Sequence, residues 1–220
     1  MPCGHHVQFR INIEEDIEIE RSYTPVFKDL GLNPFDSNFD SNLHFLIKTY
    51  TIGLLTPHLE DLPIGGKMDI SNPIGSFNAN IFKKSDFILL LAAGTGITPM
   101  CKVIQFINDY CTKNKSKKRI LLLNFNKTKD DIIWRNQLEN LKKSEEFQFE
   151  IENILSQDEQ WNGYKGRISA DLLTKMLPKL SENEQKLACF CGPIPFTRTG
   201  YQLLQDSFSF KKEEVWKFEG

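Results

Sequence analysis

The pattern of apolar and polar positions changes character near residue 84. Up to that point, short runs at His5–Ile13, Ile17–Val26, His44–Gly53 and Lys67–Gly75 alternate apolar with polar residues, and Gly, Pro, Asn and Asp separate them. A period of two with such punctuation predicts an antiparallel sheet. The stretch from Lys28 to Asn42 reads as a loop by composition. From Ser85 onward, strand-like runs alternate with segments of helical spacing. Phe87–Ala93, Arg119–Asn126, Phe147–Leu155 and Lys186–Gly192 predict strands. Thr98–Cys111, Asp130–Lys143, Ser169–Leu180 and Phe196–Phe208 predict helices, and Val215–Phe218 a short last strand. This order predicts a parallel sheet with helices on both faces. The expected fold is therefore β + α/β, with an antiparallel domain over 1–84 and a parallel-sheet α/β domain over 85–220.

Composition narrows the function without naming it. The 220 residues are 40% hydrophobic, 25% charged and 11% aromatic, ordinary for a globular chain with ample core. A formal charge of −2 gives no reason to expect nucleic acid as a partner, and the basic stretch Thr112–Arg119 reads as a solvated loop. The apolar run Phe87–Ala93 is too short to span a bilayer, so no transmembrane segment is expected. Five cysteines without paired zinc spacing suit reduced thiols and cytoplasmic residence.

Three short segments carry the candidate chemistry. In "AAGTGITPM", Gly94 and Gly96 fall where a predicted core strand hands over to a helix. Ligands of open α/β sheets bind at that end of the strands, and missing side chains let backbone N–H groups approach a phosphate or a flat ring. Thr98 is expected as the helix N-cap and Pro99 as its first residue. A plain strand-to-helix turn would look the same, because the third glycine of the dinucleotide fingerprint is absent. In "CFCGPIPF", Cys191, Gly192 and Pro193 form a second turn at a strand end. Cys189 and Cys191 are expected on opposite faces of their strand, and His5 and His6 likewise, so no metal is expected. In "ERSYTPV", Arg21 can hold a phosphate bidentately, and Tyr23 can cover a planar ring while donating its hydroxyl. Trp134 reads as a core residue.

Together these segments, with "LIKTY", "FNKTKDDIIWRNQLENL" and "LSQDEQWNGYKGRIS", resemble the NADH–cytochrome b5 reductases of the ferredoxin–NADP reductase superfamily over essentially the whole chain. The resemblance implies a flavin-binding β-barrel followed by a nicotinamide-dinucleotide domain, with FAD and NADH or NADPH as cofactors. It implies that Arg21 and Ser22 hold the FAD, Arg21 at the pyrophosphate, with Tyr23 on the ribityl chain and ring and Thr24 at the flavin N5 edge. Lys48 and Tyr50 would line the flavin, Gly53, Leu55 and Thr56 would form its phosphate turn, and Thr98 would touch the isoalloxazine. Gly94, Thr95, Gly96, Cys191, Gly192, Pro193 and Phe196 would hold the dinucleotide. Thr24, Lys48, Thr98 and Cys191 would flank the reacting atoms. The implied reaction passes a hydride from nicotinamide to flavin, then single electrons to cytochrome b5 or a fused cytochrome b5-like heme domain, at the cytoplasmic surface of the endoplasmic reticulum.

The chain departs from that family in three places. Ile64–Asp69 imitates a phosphate motif but comes too late along the chain, and reads as a turn. Where NADH-specific members carry an acidic residue against the adenosine ribose, this sequence has Ser156, with Asp158 two residues on; a 2′-phosphate is then not repelled. Roughly the first three barrel strands have no counterpart, so a partial barrel is expected. The alternatives are a truncated, non-catalytic fragment that cannot retain FAD, and a reductase module serving another one-electron acceptor.

Overall fold

The computed structural model describes residues 1–14, 17–27, 42–50, 52–141, 148–181 and 183–218. Nearly all of the expected loop from Lys28 to Asn42 lies outside them. Alternation builds the first sheet. β1 (Val7–Glu14) and β2 (Ile17–Tyr23) pair antiparallel, with Val7 opposite Tyr23, Phe9 opposite Arg21 and Ile11 opposite Ile19. Opposed residues share a face, so Arg21 and Tyr23 project from the side that buries Val7 and Phe9. On the other side Arg10 donates to Glu20 at 2.9 Å. β3 (Pro25–Val26) pairs with β4 (His44–Phe45), and a short helix, α1 (Thr56–Glu60), follows. β5 (Asp69–Ile70) joins the free edge of β1, giving the order β2-β1-β5. Val7, Phe9, Ile19 and Leu55 form a small core beneath this sheet.

A second helix, α2 (Asn80–Lys84), leads into the larger unit. Here β6 (Phe87–Ala93), α3 (Ile97–Asn114), β7 (Arg119–Asn126), α4 (Arg135–Leu141), β8 (Gln148–Leu155), α5 (Ala170–Met176), β9 (Lys186–Cys191), α6 (Ile194–Phe208) and β10 (Val215–Lys217) alternate. The five strands are parallel in the order β10-β9-β6-β7-β8. β6 lies at the centre with both faces covered. Ile88 and Leu90 pack with Ile104, Ile107 and Leu122 on one face, and Leu89 and Leu91 with Phe190, Leu173 and Leu204 on the other. The chain leaves β6 toward β7 and β8, then returns to build β9 and β10 on the opposite side. The carboxyl ends of β6 and β9 therefore flank a topological switch point, where ligands of such sheets sit.

Several elements differ from expectation for physical reasons. The helix expected over Asp130–Lys143 is broken: a 3₁₀ turn spans Lys129–Asp131, Trp134 takes φ +52°, and α4 begins only afterward. The helix expected over Ser169–Leu180 stops at Met176, because Leu177 precedes Pro178 and is extended. Among the described residues of His44–Gly53, only His44–Phe45 forms a ladder. The short helices α1 and α2 lie outside the expected strands, in a domain where no helix was expected. Cys189 and Cys191 do not face opposite ways: residues two apart share a face of a strand, and both pack on the α3 side.

Candidate active site

Two glycine turns meet at the switch point. A Cβ on Gly96 would overlap the carbonyl of Cys191, and one on Gly192 would lie 2.8 Å from the Cβ of Ala93. The turns after β6 and β9 thus pack backbone against backbone, and Gly192 (φ +152°) adopts a conformation that suits glycine. Gly94 differs. At φ +57° its missing side chain would point into open space, leaving bare backbone exposed to the cleft. The expected cap is corrected here. Gly96 is the N-cap of α3; Thr98 is the second helical residue, and its hydroxyl donates back to Thr95 O at 3.1 Å. Because Ile97 already continues the 3₁₀ turn Gly94–Gly96 into the helix, no side-chain cap is used.

These turns form one wall of a cleft of about 1960 Å³. A single small-molecule pocket holds roughly 300–1,000 Å³, so the cleft has room for two cofactors side by side. Arg21, Ser22, Tyr23, Thr24, Lys48 and Tyr50 form the facing wall, and Gly94, Thr95, Gly96, Thr98, Ser156, Cys191, Gly192, Pro193 and Phe196 line the nucleotide side. Arg21 donates to Glu20 O at 2.7 Å, and Tyr23 packs on Phe9 with ring centroids 4.7 Å apart. Burial pushes the Tyr23 phenol above its usual range, keeping it neutral and a donor.

Three expected residues, Gly53, Leu55 and Thr56, do not line the cleft. Leu55 is buried in the small core. Gly53 N–H donates to Tyr50 O at 2.8 Å, and the Thr56 hydroxyl accepts from Tyr50 N–H at 3.1 Å. Gly53 and Thr56 shape the turn that presents Tyr50.

Cys191 is half-buried, and desolvation pushes its thiol up to about 12 and leaves it neutral at physiological pH. Phe196 packs edge-on against Phe125 at 5.1 Å. Among the described residues no three His, Cys, Asp or Glu are grouped to hold a metal. The lookalike turn around Gly65 and Gly66 lies away from the cleft, and so does Asp158, whose carboxylate accepts from Gln160 N–H at 3.1 Å.

Other lining residues escaped the sequence reading. Lys127 and Arg167 add two cations near Ser156, while Phe77, Trp216 and Phe218 add aromatic surface. Asp131 receives the Lys48 ammonium and also accepts from Thr128 N–H at 3.0 Å and its hydroxyl at 2.9 Å. These bonds, Lys48 first, hold its carboxyl below the usual range. Asn126 is 8% exposed, and its Nδ2 has no partner. An unsatisfied buried group costs about 1–3 kcal/mol. The signal was present in "NKTKDD", but an Asn ending a strand looks like any polar edge residue.

Open backbone at Gly94, a cation at Arg21 and aromatic flanks from Tyr23 and Phe196 fit a flavin facing a nicotinamide dinucleotide. The family model of an oxidoreductase FAD-binding domain matches residues 1–79, and that of an oxidoreductase NAD-binding domain matches residues 90–200. The chain is 40% identical to cytochrome b5 reductase 4 of Bos taurus over 99% of its length and 41% of the relative's. It is 33% identical to NADH-cytochrome b5 reductase 1 of Debaryomyces hansenii, over 89% of this chain and 64% of that one. The CS-b5R domains of human Ncb5or in its NAD+ form superpose with a TM-score of 0.87 at 40% identity, covering 100% of this chain and 61% of that one. The cytochrome b5 reductase domain of Ulva prolifera nitrate reductase, 22% identical, shares the fold at a TM-score of 0.77, over 99% of this chain and 85% of that one. The chain spans about two-fifths of the cytochrome b5 reductase 4 relatives it matches. With its two walls matching an FAD-binding and an NAD-binding oxidoreductase domain, the chain belongs to the oxidoreductases built from those two domains, and it is similar to the cytochrome b5 reductases.

Proposed function

We propose that this chain is the reductase module of an FAD-dependent NAD(P)H oxidoreductase, which passes a hydride from nicotinamide to flavin and single electrons on to a heme acceptor such as cytochrome b5 or a fused cytochrome b5-like domain. One observation carries the reading: the turns at Gly94–Gly96 and Cys191–Gly192 are locked together and face Arg21–Thr24 across one cleft. When bound, the flavin supplies a ring that accepts a hydride and releases electrons singly.

The chain's own residues bind and orient. Arg21 provides a permanent cation for a pyrophosphate. Gly94 offers unobstructed backbone to the dinucleotide, and Gly96 fixes the turn against Cys191. Tyr23 and Tyr50 offer flat surfaces that exclude water from the ring, with Thr24 at its reacting edge. Thr98 is held by Thr95 O so that its methyl and hydroxyl keep one orientation. Cys191 would present a neutral thiol to a bound nicotinamide. Held in place, two rings need no further protein chemistry to react.

The two domains divide at residue 84, between the segments that the two family models match. The heme acceptor is supported by the names of the relatives, and a cytoplasmic setting by five cysteines that are all free. No helix among the described residues is long and apolar enough to cross a membrane.

The test is an absorbance spectrum of purified protein before and after anaerobic NADH. A flavin spectrum that bleaches on NADH and recovers on adding oxidised cytochrome b5 is the expected result. A flavin that bleaches but recovers only with other one-electron acceptors would move the reading to a different partner. Colourless protein that still binds dinucleotide would leave a binding module.

A further inference from the structure

The Asn126 side chain is buried, and its Nδ2 makes no hydrogen bond in the fold. It ends β7 at the rim of the cleft, and its main chain is already committed: its carbonyl accepts from Ser156 N–H at 3.0 Å, joining β7 to the chain after β8. Phe125, next to it, faces the opposite way and packs on Phe196. By alternation Asn126 shares a face with Leu122 and Asn124. Asn124 donates to Asn153 Oδ1 at 2.9 Å, so that pair is a structural polar contact between strands. Asn126 has no such contact; its Nδ2 is buried and unpartnered beside the cleft. Buried donors in folded proteins are nearly always paired, so an unpaired one on a residue that lines a cleft calls for a partner.

We propose that Asn126 is a dinucleotide-binding residue, donating through Nδ2 to a ribose or phosphate oxygen on the adenosine side of the ligand. The placement rests on the oxidoreductase reading above. The Gly94 turn after β6 lies on one side of Asn126, and Ser156 after β8 lies on the other. A dinucleotide crossing the carboxyl ends of these three strands passes Asn126 between its phosphates and its adenosine ribose. Acceptor oxygens are the only hydrogen-bonding groups on that part of the ligand apart from ribose hydroxyls, which also accept. An amide donor is thus the matching chemistry, and a neutral one adds no charge to the Lys127 and Arg167 side of the rim.

The test is titration calorimetry of the flavin-loaded protein with ADP and with NAD+, alongside thermal unfolding without nucleotide. Asn126→Leu removes the open donor. It is expected to weaken ADP and NAD+ roughly three- to tenfold, the share of one neutral hydrogen bond, with the unfolding midpoint unchanged or raised. Asn126→Asp keeps the shape but replaces the donor with an anion, and it is expected to weaken both ligands further. A structural role reverses this signature. If Nδ2 turns to Asn124 Oδ1, which is also unpartnered, Asn126→Leu lowers the midpoint and leaves ADP affinity as it was; that result overturns the proposal. Should Asn126→Leu fail to fold, Asn126→Asp decides alone, and parental affinity for ADP in that variant is equally fatal. Parent protein that binds neither ADP nor NAD+ would instead bring down the oxidoreductase reading, and the proposal with it.

Discussion

The Lys48 ammonium donates to the Asp131 carboxylate, so a single ion pair spans the cleft between the flavin side and the nucleotide side. Thr128 clamps the carboxylate through its N–H and hydroxyl, which makes Asp131 the fixed partner and Lys48 the long, adjustable one. Both side chains keep some exposure, 28% and 21%, so the pair contributes at most about 1 kcal/mol to stability directly. Its consequence is where the lysine sits, 5.8 Å from the Tyr50 ring centroid. Lys48→Met and Asp131→Asn should each slow flavin reduction by NADH roughly three- to tenfold, and the double variant should be no slower than the worse single one. Stopped-flow rates for all four proteins close the cycle; additive losses would mean two separate roles. The sign of the pH effect follows from the depressed carboxyl. Its stabilising share is complete above the ordinary carboxylate range, about 3.9, and is lost as pH falls through the lower folded value.

The two glycines of "GTG" should respond differently to alanine. At Gly96 a methyl meets backbone, the Cys191 carbonyl, which cannot rotate away. Gly96→Ala must push the two turns apart, at roughly 1–3 kcal/mol for an overpacked site. At Gly94 the methyl meets nothing, and the only cost is the left-handed backbone, about 1–2 kcal/mol. Thermal unfolding and dinucleotide affinity measured together should separate them. Gly96→Ala should lose both, and Gly94→Ala mainly affinity, because its methyl enters the cleft.

How much could be read from the sequence depends on what fixes each element. β6 was legible to the residue because both faces are buried, and nothing polar interrupts Phe87–Ala93. The turn after it was legible as chemistry but not as geometry: Thr98 looked like a cap, yet glycine at 96 and the 3₁₀ turn before it remove the need for one. Trp134 at positive φ broke a helix whose periodicity was good, since periodicity is blind to one residue's backbone. α1 was missed because five residues give too few turns to show a period. Gly53 and Thr56, expected at a phosphate, bond the backbone of Tyr50, and Leu55 is buried in the small core. Asp131 and Asn126 were invisible because their meaning lies in partners far along the chain, or in the lack of one.

Arg21 projects from the same face of the sheet as Phe9, yet it stays at the surface of the cleft rather than in the core beneath. Arg21→Ala should therefore leave folding almost untouched while loosening flavin. The expected loss is roughly 2 kcal/mol of flavin affinity, within the range for a hydrogen-bonded charge contact. Flavin content after dialysis, compared with unfolding midpoints, reads both. Full occupancy and an unchanged dissociation constant would remove Arg21 from the site.

Burial pushes the thiols of Cys3, Cys101 and Cys191 up to about 12, and that of Cys189 well above its ordinary value. The folded state then holds protons that the unfolded chain releases above its ordinary thiol value, about 8.5. Stability should fall as pH rises past that point, by up to about 1.4 kcal/mol per pH unit for each thiol. Cys191 is also no thiolate at neutral pH. Cys191→Ser should keep the flavin yet slow its reduction, and the parent's reduction rate should show no step near the ordinary thiol value. A step there that vanishes in the serine variant would mean that Cys191 ionises in the cleft.

Cofactor choice turns on the rim beyond β8. Ser156 lines the cleft there with Lys127 and Arg167, and its hydroxyl lies 3.4 Å from Asn126 O. The carboxylate nearest in sequence, Asp158, lies outside the cleft and is occupied by Gln160 N–H. With the adenosine ribose proposed at Ser156, no acidic side chain of this stretch lines the cleft there, and the two cations would favour a 2′-phosphate rather than oppose it. The wild-type chain should accept NADPH with an efficiency within about one order of magnitude of NADH. Ser156→Asp should shift the ratio toward NADH by roughly tenfold or more, because the new carboxylate can accept from the ribose 2′-hydroxyl and repels a phosphate at the same place. Lys127→Gln should shift it the same way by a smaller factor, through the loss of one partly screened charge. The measurement is kcat/KM for both dinucleotides in all three proteins. An unchanged ratio in Ser156→Asp would place the ribose elsewhere on the rim, and Asp158→Asn would then be the variant in which the ratio has to move.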